Sequence, residues 1–479
     1  MFSAISCLFI PISLVDLLIY KDLIPFIKAQ TGLHEGDQSM VNFFHSRNAR
    51  KITHKEREFK EFWMNLVNKL EPCWKAFVFV VDKFSFPVHR SRGFCGVKNP
   101  GKKIGDSVVE NKRQLHSLIA DLKATRQGDL VFFYQRRVDE PPERRGFRGI
   151  YRITSDPFYD ETNVNWNGYE VLGKCPLCGC AYSEKDGKCM KCSFELADRH
   201  ILPNRLLIEC IDHFDNPVDD NTAYVDKTDP GELWTLLFRK IYGPGRARSA
   251  APILPEEAKK IARLLYMVNN GEITSVPSPE QYPPGPRKPL DIRSILREYA
   301  NSQAPTEAIL QAWFMENIDK VIPTLKDVVG DKKELEWFGN EIIYGIGGDK
   351  VDILCTHKRD EVRYKATVIE LKRGRIDRNS VNQIERYSYW ISQLVTANAE
   401  PPTEHLELQP VLVGYNMERN AIPTSSLSPK TFVIPYRHIP PCSITILPPV
   451  ILKYCINDRG DLEFDIVSCK ESSLVNYFA

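Results

Sequence analysis

The stretch VIELKRGRID, Val368 to Asp377, decides how the C-terminal half of this chain is read. Val368, Ile369 and Leu371 suit a dry strand, yet Glu370 and Lys372 enter the same run two positions apart. Residues two apart on a strand share a face, so the acid and the ammonium point one way while Ile369 and Leu371 pack the other. Upstream, KVDILCT (350–356) reads as a second strand, and HKRDE (357–361) as the turn that folds it back. Such a hairpin sets Asp352 roughly opposite residues 366–370, close enough for its carboxylate to converge with Glu370.

Two adjacent carboxylates repel each other unless a cation lies between them. Hard oxygen ligands select Mg2+ or Mn2+. Such an ion polarises a phosphoryl oxygen and acidifies a bound water, which Lys372 would orient or deprotonate. Three further residues belong to the constellation. Glu307 lies on a preceding helix capped by Thr306, and Gln383 lies on a following helix with Tyr387 one turn later.

The set TEAILQAWFMENID (306–319), GGDKVDILC (347–355), VIELKRG and VNQIERY (381–387) resembles the PD-(D/E)xK nuclease fold. More narrowly, it resembles the NucS-type branch, over about residues 300–395. The resemblance implies that Asp352 and Glu370 bind Mg2+ or Mn2+ with the carbonyl of Leu371, and that Lys372 is the catalytic lysine. It further implies that Glu307 reaches the metal through water and that Gln383 and Tyr387 flank the site. Family members hydrolyse DNA to 5′-phosphate and 3′-hydroxyl ends. The N-terminal dimerisation domain of NucS-type enzymes has no counterpart in this sequence, so mismatch cleavage is not implied.

A second cluster is KCPLCGCAYSEKDGKCMKC (174–192), where two CxxC knuckles stand ten residues apart. Four thiolates on two tight turns complete a closed tetrahedral Zn2+ site. Cys175, Cys178, Cys189 and Cys192 are the expected ligands, with Cys180 able to replace Cys178. A closed site of this kind clips a loop and performs no chemistry.

GDLVFFYQRR (128–137) followed by GFRGIYRITSDPFYD (146–160) resembles the EVE domain of the PUA-like superfamily, over about residues 70–250. The resemblance implies a small β-barrel that binds a flipped, modified nucleobase. Extruding a base costs a few kcal/mol of stacking, which aromatic walls recover while edge hydrogen bonds read the modification. Expected walls are Trp166, Tyr134, Tyr159 and Trp74; Arg246 and Arg248 in GPGRARS form the expected phosphate clip.

The 479 residues accommodate roughly two to four domains. A formal net charge of +2 excludes a wholly basic nucleic-acid coat but not local basic patches. The 13 cysteines, many of them single in apolar contexts, suit a reducing cytoplasm better than a disulfide framework. The apolar start, MFSAISCLFIPISLVDLLIY, lacks a charged n-region and carries Pro11 and Asp16. It therefore reads as a packed helix, or as sequence ahead of a true start at Met40, and no membrane partner is expected.

The expected architecture is α/β and multidomain. Residues 1–60 form a helical extension, and 61–270 a PUA-like (EVE-type) β-barrel with helices and a zinc-knuckle insertion at 174–193. Residues 271–292 form a proline-rich linker, and 293–479 a restriction-endonuclease-like α/β domain. The expected function is a modification-dependent DNA restriction endonuclease. Its partner is double-stranded DNA carrying a modified base, a modified cytosine first among the candidates, and it works as a dimer or a transient pair on DNA. The alternatives are an RNA-processing or structure-specific repair nuclease, and a non-catalytic binding protein.

Overall fold

The computed structural model describes residues 74–82, 85–104, 107–135, 145–162, 202–225, 250–275, 287–300, 305–320, 322–343, 349–397, 399–418, 421–434 and 441–467. The chain divides into two units, Met1–Glu71 and Pro72–Ala479, and everything below concerns the second. The expected extension over 1–60, the zinc knuckle at 174–193, Trp166, Arg246 and Arg248 lie outside the described residues.

The first half runs β1 (Ala76–Val81), α1 (Ser85–Arg92), β2 (Phe94–Val97), β3 (Gly101–Ile104), β4 (Ser107–Glu110), α2 (Lys112–Lys123) and β5 (Leu130–Gln135). It continues through β6 (Gly146–Ile153), β7 (Phe158–Tyr159), β8 (Asn204–Asp212), α3 (Asp220–Val225), β9 (Ala250–Ile253), α4 (Pro255–Val268) and β10 (Lys288–Pro289). β1 (AFVFVV) and β5 (LVFFYQ) are almost continuously apolar and pair in parallel, as strands covered on both faces do. Asn111 caps α2 by accepting from the Gln114 amide at 3.2 Å, and Pro255 opens α4.

These strands do not close into the expected barrel. Their order is β10-β7-β8-β6-β5-β1-β9, with β2 pairing β8 off that path. The physical reason lies at β9, whose outer side is met by the second sheet: the Trp337 indole Nε1 donates to the Ile253 carbonyl at 2.8 Å. An edge covered in this way need not be removed by closure.

The second half runs α5 (Ile292–Arg297), α6 (Glu307–Asn317), α7 (Pro323–Val328), β11 (Leu335–Ile343), β12 (Lys350–Arg359), β13 (Val362–Leu371), β14 (Arg375–Ile376), α8 (Arg378–Ala397) and β15 (His405–Gly414). It ends with β16 (Asn416–Met417), β17 (Lys430–Ile434), β18 (Cys442–Ile446), β19 (Val450–Ile456) and β20 (Leu462–Val467). The main sheet has the order β11-β12-β13-β15-β18-β17, with β19 pairing β15 and β20. β13 and β15 are parallel and joined by α8, the crossover that parallel pairing demands.

The two sheets are docked against each other. α2 lies along α6, where Lys123 pairs with Glu316 at 2.8 Å and Arg126 grips Asp319 at 2.6 and 2.8 Å. Arg363 at the start of β13 is buried, and it reaches Glu256 of α4 at 2.7 Å and Glu336 of β11 at 2.7 Å. The end of the expected linker is itself a strand. Lys288 and Pro289 pair with Tyr159 and Phe158, and a proline is tolerated there because β10 is an edge.

Arg205 on β8 is fully buried and ties the two flanks of the segment that holds the CxxC knuckles. Its guanidinium donates to the Thr162 carbonyl at 2.6 Å and the Leu202 carbonyl at 2.8 Å, and lies 3.2 Å from Asp160.

Candidate active site

The hairpin of β12 and β13 turns at Asp360 and Glu361, both left-handed (φ 49° and 66°). Two consecutive positive φ angles match the twist of the flanking strands and fix a tight turn. Register then follows: Ile353 pairs with Ile369, so Asp352 falls one step further on, across from Glu370. The Leu371 amide donates to Asp352 Oδ2 at 2.7 Å, which aims that carboxylate at the strand end.

Lys372 follows the last residue of β13, with its amide held by the Val413 carbonyl at 2.8 Å. Its Nζ lies 2.8 Å from Glu370 Oε1 and 3.0 Å from Gln383 Oε1. Gln383 in turn donates through Nε2 to the Tyr387 hydroxyl at 2.5 Å. Asp377 closes the quoted stretch and orients this helix, accepting from the Ser380 amide at 2.8 Å at the start of α8.

Glu307 is the first residue of α6, with Thr306 as its N-cap. Its charge reaches both Asp352 and Glu370. The structure therefore brings together Asp352, Glu370, Lys372 and Gln383, all named from the sequence, with Glu307 opening the neighbouring helix α6. Gln311 is an addition: from α6 its Nε2 donates to the Asp352 carbonyl at 2.9 Å.

Electrostatics sharpen the site. Burial, and then the facing Glu370 charge, hold the Asp352 carboxyl well above the usual carboxylate range. Glu370 is also pushed up by burial, with Lys372 countering in part. For Lys372, burial works to lower the ammonium's pKa, but the Glu370 carboxylate outweighs it and holds the group above its ordinary value. Glu370 Oε2 is buried and has no hydrogen-bond partner among the described residues. A carboxylate oxygen left in that state is a position where a cation compensates the lost solvation.

Of the residues expected to wall a base pocket, Trp166 lies outside the described residues, and Trp74 and Tyr134 do not come together. Trp74 precedes β1 and Tyr134 pairs with Val80 near its end, so they lie at opposite ends of the β1–β5 pair, about 20 Å apart at the strand rise. Tyr134 is fully buried against Phe147, with ring centroids 5.0 Å apart. Trp74 is buried beside Lys259, and the Tyr159 hydroxyl is held by Glu161 at 2.6 Å. Strand alternation sends Tyr134 to one face and its neighbour Phe133 to the other.

Phe133 joins a cluster that the sequence reading did not single out. It stacks on His89 (5.4 Å) and meets Phe86 and Tyr151 edge-on at 5.5 and 5.0 Å. The Tyr151 hydroxyl and Arg90 contact opposite nitrogens of His213, each at 3.2 Å. Burial, then Arg90, lower the His213 pKa to about 4, so the ring is neutral at pH 7. The signal available in the sequence was the SFPVHRSR helix, which places Phe86, His89 and Arg90 on one short element.

Among the described residues no group of three or more His, Cys, Asp or Glu could hold a metal ion, and no helix is long and apolar enough to cross a membrane.

No protein-family model and no curated protein matches the chain. Solved structures do show likeness. A Pseudomonas putida protein matches at 15% identity over 40% of this chain and 98% of its own, with a TM-score of 0.21. A Leishmania major protein matches at 15% identity over 41% and 96%, with a TM-score of 0.22. Human THYN1, solved in complex with 5-methylcytosine-containing DNA, matches at 10% identity over 38% and 92%, with a TM-score of 0.18. At such scores the likenesses lend the site no weight, and its reading rests on its own residues.

Proposed function

We propose that the chain is a divalent-metal-dependent DNA nuclease whose first sheet reads a modified base, which makes it a modification-dependent restriction endonuclease. The observation that carries the nuclease reading is the meeting of Asp352, Glu370 and Lys372 at one strand end, with Glu370 Oε2 buried and without a hydrogen-bond partner among the described residues. The reader half rests on the GDLVFFYQRR and GFRGIYRIT resemblance.

The donor set fits Mg2+ or Mn2+. These ions keep several waters and need only one or two protein carboxylates. Asp352, Glu370 and the Leu371 carbonyl would hold the ion, so no cage of three acids is required. When bound, it supplies Lewis acidity at a phosphoryl oxygen and lowers the pKa of a bound water.

The chain's own residues then have distinct tasks. Lys372 is held as a cation by Glu370, so it donates hydrogen bonds and positions the attacking water rather than removing its proton. Gln383 and Tyr387 fix the direction of Lys372 Nζ. Hydrolysis joins the water oxygen to phosphorus and breaks the bond to the 3′ oxygen; the water's proton passes to solvent and the departing oxygen takes one up from solvent, leaving 5′-phosphate and 3′-hydroxyl ends.

The deciding experiment incubates matched DNA duplexes with the protein and Mg2+ or Mn2+. One set is unmodified, and the others carry 5-methylcytosine, 5-hydroxymethylcytosine, glucosylated cytosine or N6-methyladenine. Cutting confined to one modified set, and lost in Lys372→Ala, is the expected result. Equal cutting of all sets would remove the reader half. No cutting of any DNA set, with cutting of a matched RNA run alongside, would move the activity to RNA processing.

A further inference from the structure

We propose that helix α2, which belongs to the first sheet, positions the Asp352–Glu370 site through a buried relay of Asp121, Asn340 and Gln311. The inference rests on the nuclease reading above.

The relay is continuous. Asn340 Nδ2 donates to Asp121 Oδ1 at 3.0 Å and to Gln311 Oε1 at 3.1 Å. Gln311 Nε2 donates to the Asp352 carbonyl at 2.9 Å. Asp121, Asn340 and Gln311 are all buried, at 3%, 0% and 2% exposure.

The relay is also polarised. An ionised carboxylate only accepts, so Asp121 requires Asn340 to turn its NH2 group toward it. The same NH2 group then meets the Gln311 oxygen, which leaves the Gln311 NH2 group to face the Asp352 carbonyl. Reversing either amide would set oxygen against oxygen in a dry interior, where an unmade hydrogen bond is costly. The Asp121 carboxylate thus fixes the rotamer sense of two side chains, and through them the backbone of the residue that faces Glu370.

A second link runs in parallel. His116, also on α2, shares a 2.9 Å hydrogen bond with the Thr306 hydroxyl. Thr306 caps α6 and accepts from the Ile309 amide at 3.3 Å, one residue ahead of Glu307. α2 thus touches the supports of two acids at the site, and it leads through Gly128 and Asp129 directly into β5. In metal sites, partners that orient the ligands are typically worth tenfold to a hundredfold in affinity.

The test uses the full chain and Mn2+ alone, with binding read from loss of the free-ion electron paramagnetic resonance signal. Gln311→Met and Asp121→Ala are expected to weaken Mn2+ binding by about tenfold to a hundredfold. Asp121→Asn keeps the shape and packing of the side chain but offers an NH2 group that no longer dictates the amide sense, so it is expected to weaken Mn2+ binding as well, a loss that a packing role alone would not show. Circular-dichroism melting identifies any variant that is unfolded at the assay temperature, and the other variant then decides. Unchanged Mn2+ affinity in the folded variants would overturn the relay and leave the nuclease reading in place. No Mn2+ binding by the wild type, matched by Glu370→Gln, would overturn both.

Discussion

Lys372 Nζ and Gln383 Oε1 stand 3.0 Å apart, and Gln383 is held from behind by the Tyr387 hydroxyl. The ammonium is thereby fixed between an acid and an amide. Removing it in Lys372→Ala is expected to lower kcat by about 10²–10³, the usual cost of one preorganised donor. Gln383→Leu leaves the ammonium in place but free to swing, so a smaller loss of about tenfold is expected with KM unchanged. Steady-state cleavage kinetics on one modified duplex would check the ranking. A larger loss in Gln383→Leu would overturn it.

Trp337 is the largest apolar side chain between the sheets, fully buried with its indole nitrogen on the Ile253 carbonyl. Trp337→Ala is expected to cost about 3–5 kcal/mol. Trp337→Phe keeps most of the packing and strands one carbonyl, at about 1–3 kcal/mol. Urea titrations followed by circular dichroism measure both. If the sheets were loosely tethered, neither change would shift the main transition.

The buried Arg363 joins the partly buried Glu256 and Glu336. Removing the cation alone leaves two partly buried acids facing each other, so Arg363→Met is expected to cost about 3 kcal/mol. Neutralising all three groups, with Glu256→Gln and Glu336→Gln added, is expected to recover most of that loss. Chemical denaturation of the single and triple variants makes the comparison. A triple variant no better than the single one would show that the ions themselves carry the stability.

His357 on β12 is fully buried with neither ring nitrogen hydrogen-bonded among the described residues. Burial, then the nearby Lys365 charge, lower its pKa from 6.5 to about 4. The unfolded chain therefore takes up this proton first as the solution is acidified. The stability contribution is complete above pH 6.5 and is lost as pH falls toward 4, by about 3 kcal/mol. His357→Leu is expected to flatten that slope and to leave stability at neutral pH unchanged or improved. Urea midpoints measured across this window decide the matter.

What the sequence made legible was local. The β12–β13 hairpin, its turn, the Thr306 cap and the facing of Asp352 and Glu370 all follow from patterns within a few tens of residues. What stayed hidden depends on pairings far apart in the chain. The bonds from Arg126 to Asp319 and from Asn340 to Asp121 span 193 and 219 positions, and no periodicity announces them. That is why the two halves read as tethered although they are docked. The facing of the aromatics in β5 stayed hidden for a different reason. In LVFFYQ every residue is buried, so alternation says that Phe133 and Tyr134 face opposite ways without saying which face is which. The open edge of the first sheet was equally invisible, because Trp337, which meets the β9 edge, lies in the other half of the chain.

The Arg205 guanidinium holds Thr162 and Leu202 together, and with them the two mouths of the segment that carries the CxxC knuckles. A loop whose ends are already pinned adds little to the entropy of folding as it grows, about 0.6 kcal/mol for each doubling of length. The first sheet is thus a socket. Lengthening the chain between residues 162 and 202 is therefore expected to leave the stability of the strands around it nearly unchanged.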